Sequence, residues 1–228
     1  KENGIKYEGE WKNDLYHGSG KQFFPEGTDV DLIRYEGEFS EGYRSGIGKL
    51  YYRGGCFYEG EISYDWEQGQ GTMDCSKDIS QAWKTYDGQW EDAYENGLGK
   101  VIFKNGDSYT GSFEDTLLHG KGKYTWKNGE TYEGDFVYSK ITGTGIKVYE
   151  DGAVYKGNWL NGKRQGDGEM KFASGDVYKG KWEQDWENGY GKITYSSGEK
   201  YVGLFQNGRK LEGKTSMPKF TTNEKYFA

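Results

Sequence analysis

The run Tyr109-Thr110-Gly111-Ser112-Phe113, followed by Gly120-Lys121-Gly122, Asn128-Gly129 and then Tyr132-Glu133-Gly134-Asp135-Phe136, decides how this chain folds. Tyrosine, glycine and ring stand at i, i+2 and i+4. An extended backbone therefore puts all three on one face and the polar Thr110 and Ser112 on the other. The second half alternates likewise: in Gly99-Lys100-Val101-Ile102-Phe103 the glycine, valine and phenylalanine share a side. The unit reads as a two-stranded hairpin. Asn-Gly or Asp-Gly before the next tyrosine (Asn105-Gly106, Asn128-Gly129, Asp151-Gly152) predicts a two-residue turn in which both central residues take φ > 0. The glycine inside each strand is expected to leave room for a ring to lie across the backbone.

Working outward, the motif Tyr-x-Gly-x-aromatic starts at Tyr7, Tyr35, Tyr86, Tyr109, Tyr132, Tyr155, Tyr178 and Tyr201, and Tyr58 begins a copy that ends in Ile62 instead of a ring. Successive tyrosines lie 23 residues apart except for two 28-residue steps, Tyr7 to Tyr35 and Tyr58 to Tyr86. Gly-x-Gly recurs 11 and 13 residues after eight of the nine tyrosines, from Gly18/Gly20 to Gly189/Gly191. The repeat explains why 38 of 228 residues are glycine. An isolated hairpin is marginal in water, so units of this kind must stack and share one aromatic strip. At roughly 4.8 Å per strand, nine units would make a rod on the order of 80–90 Å long.

These residues resemble the MORN repeat, a 23-residue unit reading roughly YxGxWxxGxxxGxGxxxxxxGxxY, over about residues 5–214. The resemblance implies an all-β, elongated, twisted solenoid of stacked antiparallel hairpins. It implies one repeat domain over residues 1–214, with 215–228 as a cap or tail. It also implies scaffolding or docking at membranes or in the cytoskeleton, including flagellar axonemes, and so a cytoplasmic, cytoskeleton-associated protein, in cilium or flagellum. Some members carry a fused enzyme domain; in this chain no segment is left over to be one.

Composition agrees. Eight Trp, 21 Tyr and 11 Phe supply the core, while only two prolines and no three-residue period exclude collagen. No run approaches the 18 apolar residues of a membrane span, and the first residues show no apolar signal stretch. Net charge is −7, split between 12 basic and 22 acidic residues in 1–114 and 18 against 15 in 115–228. The acidic half argues against nucleic acid and anionic membrane as partners. A phospholipid tether is the alternative reading, with Lys156, Lys163, Arg164, Lys171, Lys179 and Lys181 as its basic support. A carbohydrate- or choline-binding repeat is disfavoured by the Gly-x-Gly phase.

No residue reads as catalytic, metal-ligating or cofactor-binding. Gly208 to Thr215 matches GxxxxGK[ST], but Ser216-Met217-Pro218 follows where a phosphate-binding loop needs a helix. His17 and His119 lie four units apart. Cys56 and Cys75 come from adjacent units and read as packed core thiols in a reducing compartment rather than as a disulfide or a metal site. The pairs Glu8/Glu10, Glu36/Glu38 and Glu59/Glu61 recur on the outward face, which suits a solvated or partner-facing stripe better than a glycosidase. The two five-residue insertions are the irregular features. They are either tolerated long loops or a docking edge in which Leu32, Ile33, Ile79 and Trp83 give apolar contact and Asp29 and Asp31 give charge. The expectation is a non-catalytic scaffold that binds other proteins within a larger assembly.

Overall fold

The computed structural model describes residues 4–27 and 31–211, and every regular element among them is a strand. Contacts divide the chain into two compact units, Lys1–Lys140 and Ile141–Ala228. The first holds β1(Lys6–Lys12), β2(Leu15–Phe23), β3(Leu32–Ser40), β4(Tyr43–Tyr52), β5(Phe57–Ser63), β6(Trp66–Asp74), β7(Trp83–Glu91), β8(Tyr94–Phe103), β9(Ser108–Glu114), β10(Leu117–Thr125) and β11(Thr131–Val137). The second holds β12(Lys140–Val148), β13(Val154–Leu160), β14(Lys163–Lys171), β15(Val177–Glu183), β16(Trp186–Thr194), β17(Lys200–Gln206) and the two-residue β18(Arg209–Lys210). Within each unit every strand pairs antiparallel with the next in sequence, as from β1 and β2 to β10 and β11, and from β12 and β13 to β17 and β18. The fold is an all-β repeat solenoid.

The core is a file of rings. Tyr35, Tyr58, Tyr109, Tyr132 and Tyr155 are fully buried. Where both rings are present, the tyrosine is gripped edge-on by its own i+4 ring and by that of the following repeat: Tyr109 meets Phe113 at 5.2 Å and Phe136 at 5.1 Å, and Tyr178 meets Trp182 at 5.2 Å and Phe205 at 5.0 Å. Ile62 breaks this pattern, so Tyr35 meets its own Phe39 and Tyr58 meets Trp90 of the following repeat. Edge-to-face pairs of this kind add about 0.5–1.5 kcal/mol each beyond their buried area. Trp11 meets Tyr7 at 5.3 Å and Tyr16 at 4.8 Å and is 59% exposed. Each tyrosine hydroxyl donates to the carbonyl three residues on, as Tyr109 does to Ser112 at 2.9 Å, and burial pushes the Tyr109 hydroxyl up to about 12.

The two glycines of Gly-x-Gly serve different needs. The first has φ > 0, +60° at Gly120, and falls where β10 shifts register against β9 between His119 and Gly122. It is a bulge residue. The second faces the glycine of Tyr-x-Gly across the strand pair, Gly122 against Gly111, and the tyrosine ring lies over both.

The turn reading needs correction. In Phe103–Asp107, Gly106 N–H donates to Phe103 O at 3.1 Å and Phe103 N–H to Asp107 O at 2.9 Å, and Gly106, at φ +97°, is the residue in the left-handed region; Asn105 is not. This is a longer turn closed by a glycine bulge. The two-residue turns with both φ positive sit inside the unit instead, at Asn13-Asp14, Tyr64-Asp65, Asp92-Ala93, Asp115-Thr116 and their equivalents. Few of these carry glycine, so sequence gave little sign of them. Thr116, at φ +69°, is β-branched, exposed and strained there. Thr116→Gly is expected to raise stability by about 1 kcal/mol, read as a higher urea midpoint at constant slope. A lower midpoint would show that the turn is not strained.

Candidate protein-interaction surface

The two insertions fold alike. In the first, Phe24 N–H donates to Ile33 O and Arg53 N–H to Asp31 O; in the second, Cys75 N–H donates to Lys84 O and Lys104 N–H to Ala82 O. Both lengthen the following strand by a bulged residue pair, Leu32/Arg34 against Tyr52/Tyr51 and Trp83/Thr85 against Phe103/Ile102. Leu32 is turned into the core, Ile33 and Asp31 are exposed, Trp83 is half-buried and Ile79 is 98% exposed. Asp29 lies outside the described residues, as do Gly213, Lys214 and Thr215 of the GxxxxGK[ST] run and the 215–228 tail. Gly208, which opens that run, is the second residue of an in-unit turn with φ +76°.

Cys56 and Cys75 are joined in a disulfide, with Cα atoms 4.2 Å apart, so the reading of two core thiols is wrong. Cys56 ends the turn before Tyr58, and Cys75 takes the position that Phe103 or Trp126 fills in other repeats. That places them side by side on neighbouring strand ends. Asp78 completes the clamp. It accepts from Ser80 N–H at 2.8 Å and from the Ser80 hydroxyl at 2.7 Å, bonds that hold its carboxyl below the usual range, and its Oδ2 lies 3.5 Å from Cys56 Sγ. Ile79 stands next to this fixed point.

The outward acids divide into two roles. The second of each pair curls back onto the bulge: Ser19 N–H donates to Glu10 Oε1 at 3.1 Å, Gln70 N–H to Glu61 Oε1 at 3.0 Å, and the Glu38 carboxylate covers Gly46. A bulge frees backbone amides, and a carboxylate in reach satisfies one. Gln89 does the same for Leu98 at 2.6 Å. The first of each pair faces lysine, Glu36 with Lys21 at 3.2 Å and Glu59 with Lys49 at 2.8 Å. The stripe is therefore partly structural, and the charges left to a partner are fewer than sequence suggested.

The in-unit turns stack directly. Gly42 N–H donates to Tyr16 O at 3.0 Å, Asp65 to Arg44 O at 3.1 Å, Ala93 to Glu67 O at 3.0 Å and Thr116 to Glu95 O at 2.9 Å. Position i+9 from each tyrosine thus links consecutive repeats, a role sequence reading missed because its residue types differ: Arg44, Glu67, Glu95, Leu118 and Arg164. Arg44 and Arg164 reach on to Asp65 and Asp185 in the next turn. Glu67 accepts from the Tyr52 hydroxyl, and burial pushes the Glu95 carboxyl up.

The MORN repeat pattern matches residues 7–29, 35–57, 58–78, 86–108, 109–131, 132–154, 155–177 and 178–200. The chain belongs to the MORN repeat family. Eight MORN units are matched; the hairpin of β17 and β18 after them keeps the ring lock, with Tyr201 donating to Leu204 O at 3.2 Å. No curated protein matches the chain. Among solved structures it is similar to the TCP10 domain of Danio rerio CPAP in complex with a STIL peptide, at 14% identity over 88% of this chain and 83% of that one, with a TM-score of 0.48. It is also similar to the SAS-4 (dCPAP) TCP domain of Drosophila melanogaster in complex with a proline-rich motif of Ana2, at 15% identity over 71% and 85% of the two chains, with a TM-score of 0.42. Likenesses of that strength carry no argument about function.

Proposed function

We propose that this MORN protein is a non-catalytic scaffold that binds protein partners in a cytoplasmic, cytoskeletal assembly such as an axoneme of a cilium or flagellum. The observation that carries the reading is Ile79: an aliphatic side chain almost wholly exposed on a loop clamped by the Cys56–Cys75 disulfide and by Asp78. A mobile loop would bury or average such a side chain, whereas a held one offers a prepared apolar contact. Ile33, exposed at the bulge of the matching insertion, supports the same edge, with Asp31 beside it. The lipid-tether alternative is weaker, since Arg164, Lys179 and Lys181 of its basic set are already paired with Asp185, Glu169 and Asp167.

The test is to shorten both insertions to the two-residue connection of the regular units, verify the strand signal by circular dichroism, and capture partners from the native cell. Loss of capture on shortening either loop is the expected result. Undiminished capture with both loops removed overturns the assignment of the partner surface to this edge.

A further inference from the structure

At the opposite end of each hairpin, five consecutive repeats of the first unit place an apolar side chain just after the tip turn: Leu15, Tyr43, Trp66, Tyr94 and Leu117. All five are between 40% and 56% exposed. They occupy one position on successive stacked turns. Leu15 reaches over Gly42 of the next turn, and the Tyr43 ring meets Tyr64 at 5.6 Å. The turn-to-turn hydrogen bonds hold the same stacking through both 23- and 28-residue steps, because the insertions lie at the other edge. Across the same tips, segments 12–15, 40–43, 63–66, 91–94 and 114–117 carry seven carboxylates against one lysine, and with Asp65 paired to Arg44 the balance is still acidic. The row then stops abruptly: its next two members are Lys140 and Lys163.

We infer that this acidic aromatic row is a docking track for a basic polypeptide segment in polyproline II conformation, with an arginine or lysine at every third residue. The inference rests on the scaffold reading and adds to it a second face and the chemistry of what lies there. Charge fixes the sign of the partner, and exposed tyrosine and tryptophan faces beside carboxylates suit cations, guanidinium best. Spacing fixes the conformation. Two strands at roughly 4.8 Å put neighbouring tips about 9.6 Å apart. One three-residue turn of polyproline II advances about 9.3 Å, so side chains at every third residue keep step with the tips over the whole row. An α-helix comes nearest the tip spacing with a two-turn step of seven residues, about 10.5 Å, and drifts by about 4 Å over four intervals. The extended helix also has little conformational entropy to lose on docking.

The probe is a fluorescently labelled (Pro-Pro-Arg)5 peptide titrated with the full chain at low salt and followed by anisotropy. Its controls are (Pro-Pro-Glu)5 and an alanine-based helical peptide of the same length and arginine count. The structure predicts saturable binding of the first, none of the acidic peptide, and at least tenfold weaker binding of the helical one. Tyr43→Ser/Trp66→Ser/Tyr94→Ser should weaken binding of the first peptide by at least tenfold; should the triple variant melt early, Trp66→Ser alone should weaken it severalfold. Equal affinity for the two basic peptides, or parental affinity in the serine variants, overturns the inference. The loop-shortened chain should bind the peptide as the parent does. Failure at the tips is thereby separated from failure of the docking edge at the insertions.

Discussion

Replacing Gly111 by valine is expected to cost about 3 kcal/mol, at the upper end of overpacking changes. A Cβ built at Gly111 would stand 2.5 Å from Gly122 Cα and from the Tyr109 hydroxyl and 2.6 Å from Lys121 O. Two of these three obstacles are backbone, and the third belongs to a ring held on both sides by Phe113 and Phe136. Nothing there can yield cheaply. The control is Gly129→Ala: its Cβ would meet nothing within 4 Å, so the cost is confined to a left-handed backbone at φ +91°, about 1–2 kcal/mol. Urea melts followed by tyrosine and tryptophan fluorescence measure both. A smaller loss at Gly111 than at Gly129 would refute the ring-over-glycine lock. Because repeats touch mainly their neighbours, hydrogen exchange in the Gly111 variant should rise in β9–β11 before it rises in β1–β4.

Removing the Cys56–Cys75 bond should be comparably costly. The bridge closes a segment of 19 residues' separation, for which loop-closure entropy gives about 3 kcal/mol. Cys56→Ser/Cys75→Ser should therefore melt well below the parent in non-reducing buffer and at the same point as the parent in dithiothreitol. Identical melting of parent and variant without reductant would mean that the bond contributes nothing. Reduction should also free the 76–82 loop and blunt the Ile79 contact. A disulfide belongs more readily to an oxidising compartment than to the cytoplasm. A cytoplasmic scaffold that uses Ile79 therefore requires the bond to persist there, which thiol alkylation of the native protein reads directly.

The fold was legible because its determinants are written in fixed residue types. Tyr109, Gly111, Phe113 and Gly122 each occupy a position that tolerates little else, so they recur and reveal the strand, the face and the period. The in-unit turns were not legible, because a left-handed backbone at Asp92-Ala93 or Asp115-Thr116 is imposed by the flanking strands rather than chosen by the residues. The i+9 link was hidden for the same reason: its bond uses backbone atoms, leaving the side chain free to be arginine, glutamate or leucine. Of the proposed docking edge, sequence could mark where the period breaks. It could not tell that Leu32 turns inward while Ile79 stands out, since insertions have no repeat to compare with. The disulfide escaped for another reason: adjacent units already allowed Cys56 and Cys75 to approach, but two cysteines make no disulfide framework and the chain reads as one of a reducing compartment.

The stacking of the turns has a consequence for how such a chain changes length. Each junction between repeats is made by the same backbone groups, so excising residues 109–131 would join Ser108 to Tyr132 in the setting that Thr131 now provides. Neither neighbour would meet an unfamiliar surface. Length can therefore be gained or lost by whole 23-residue increments through unequal crossing-over, with the frame conserved and only the tip residues left to diverge. Two copies of such a gene need share no partner, yet both inherit a scaffold already able to present one.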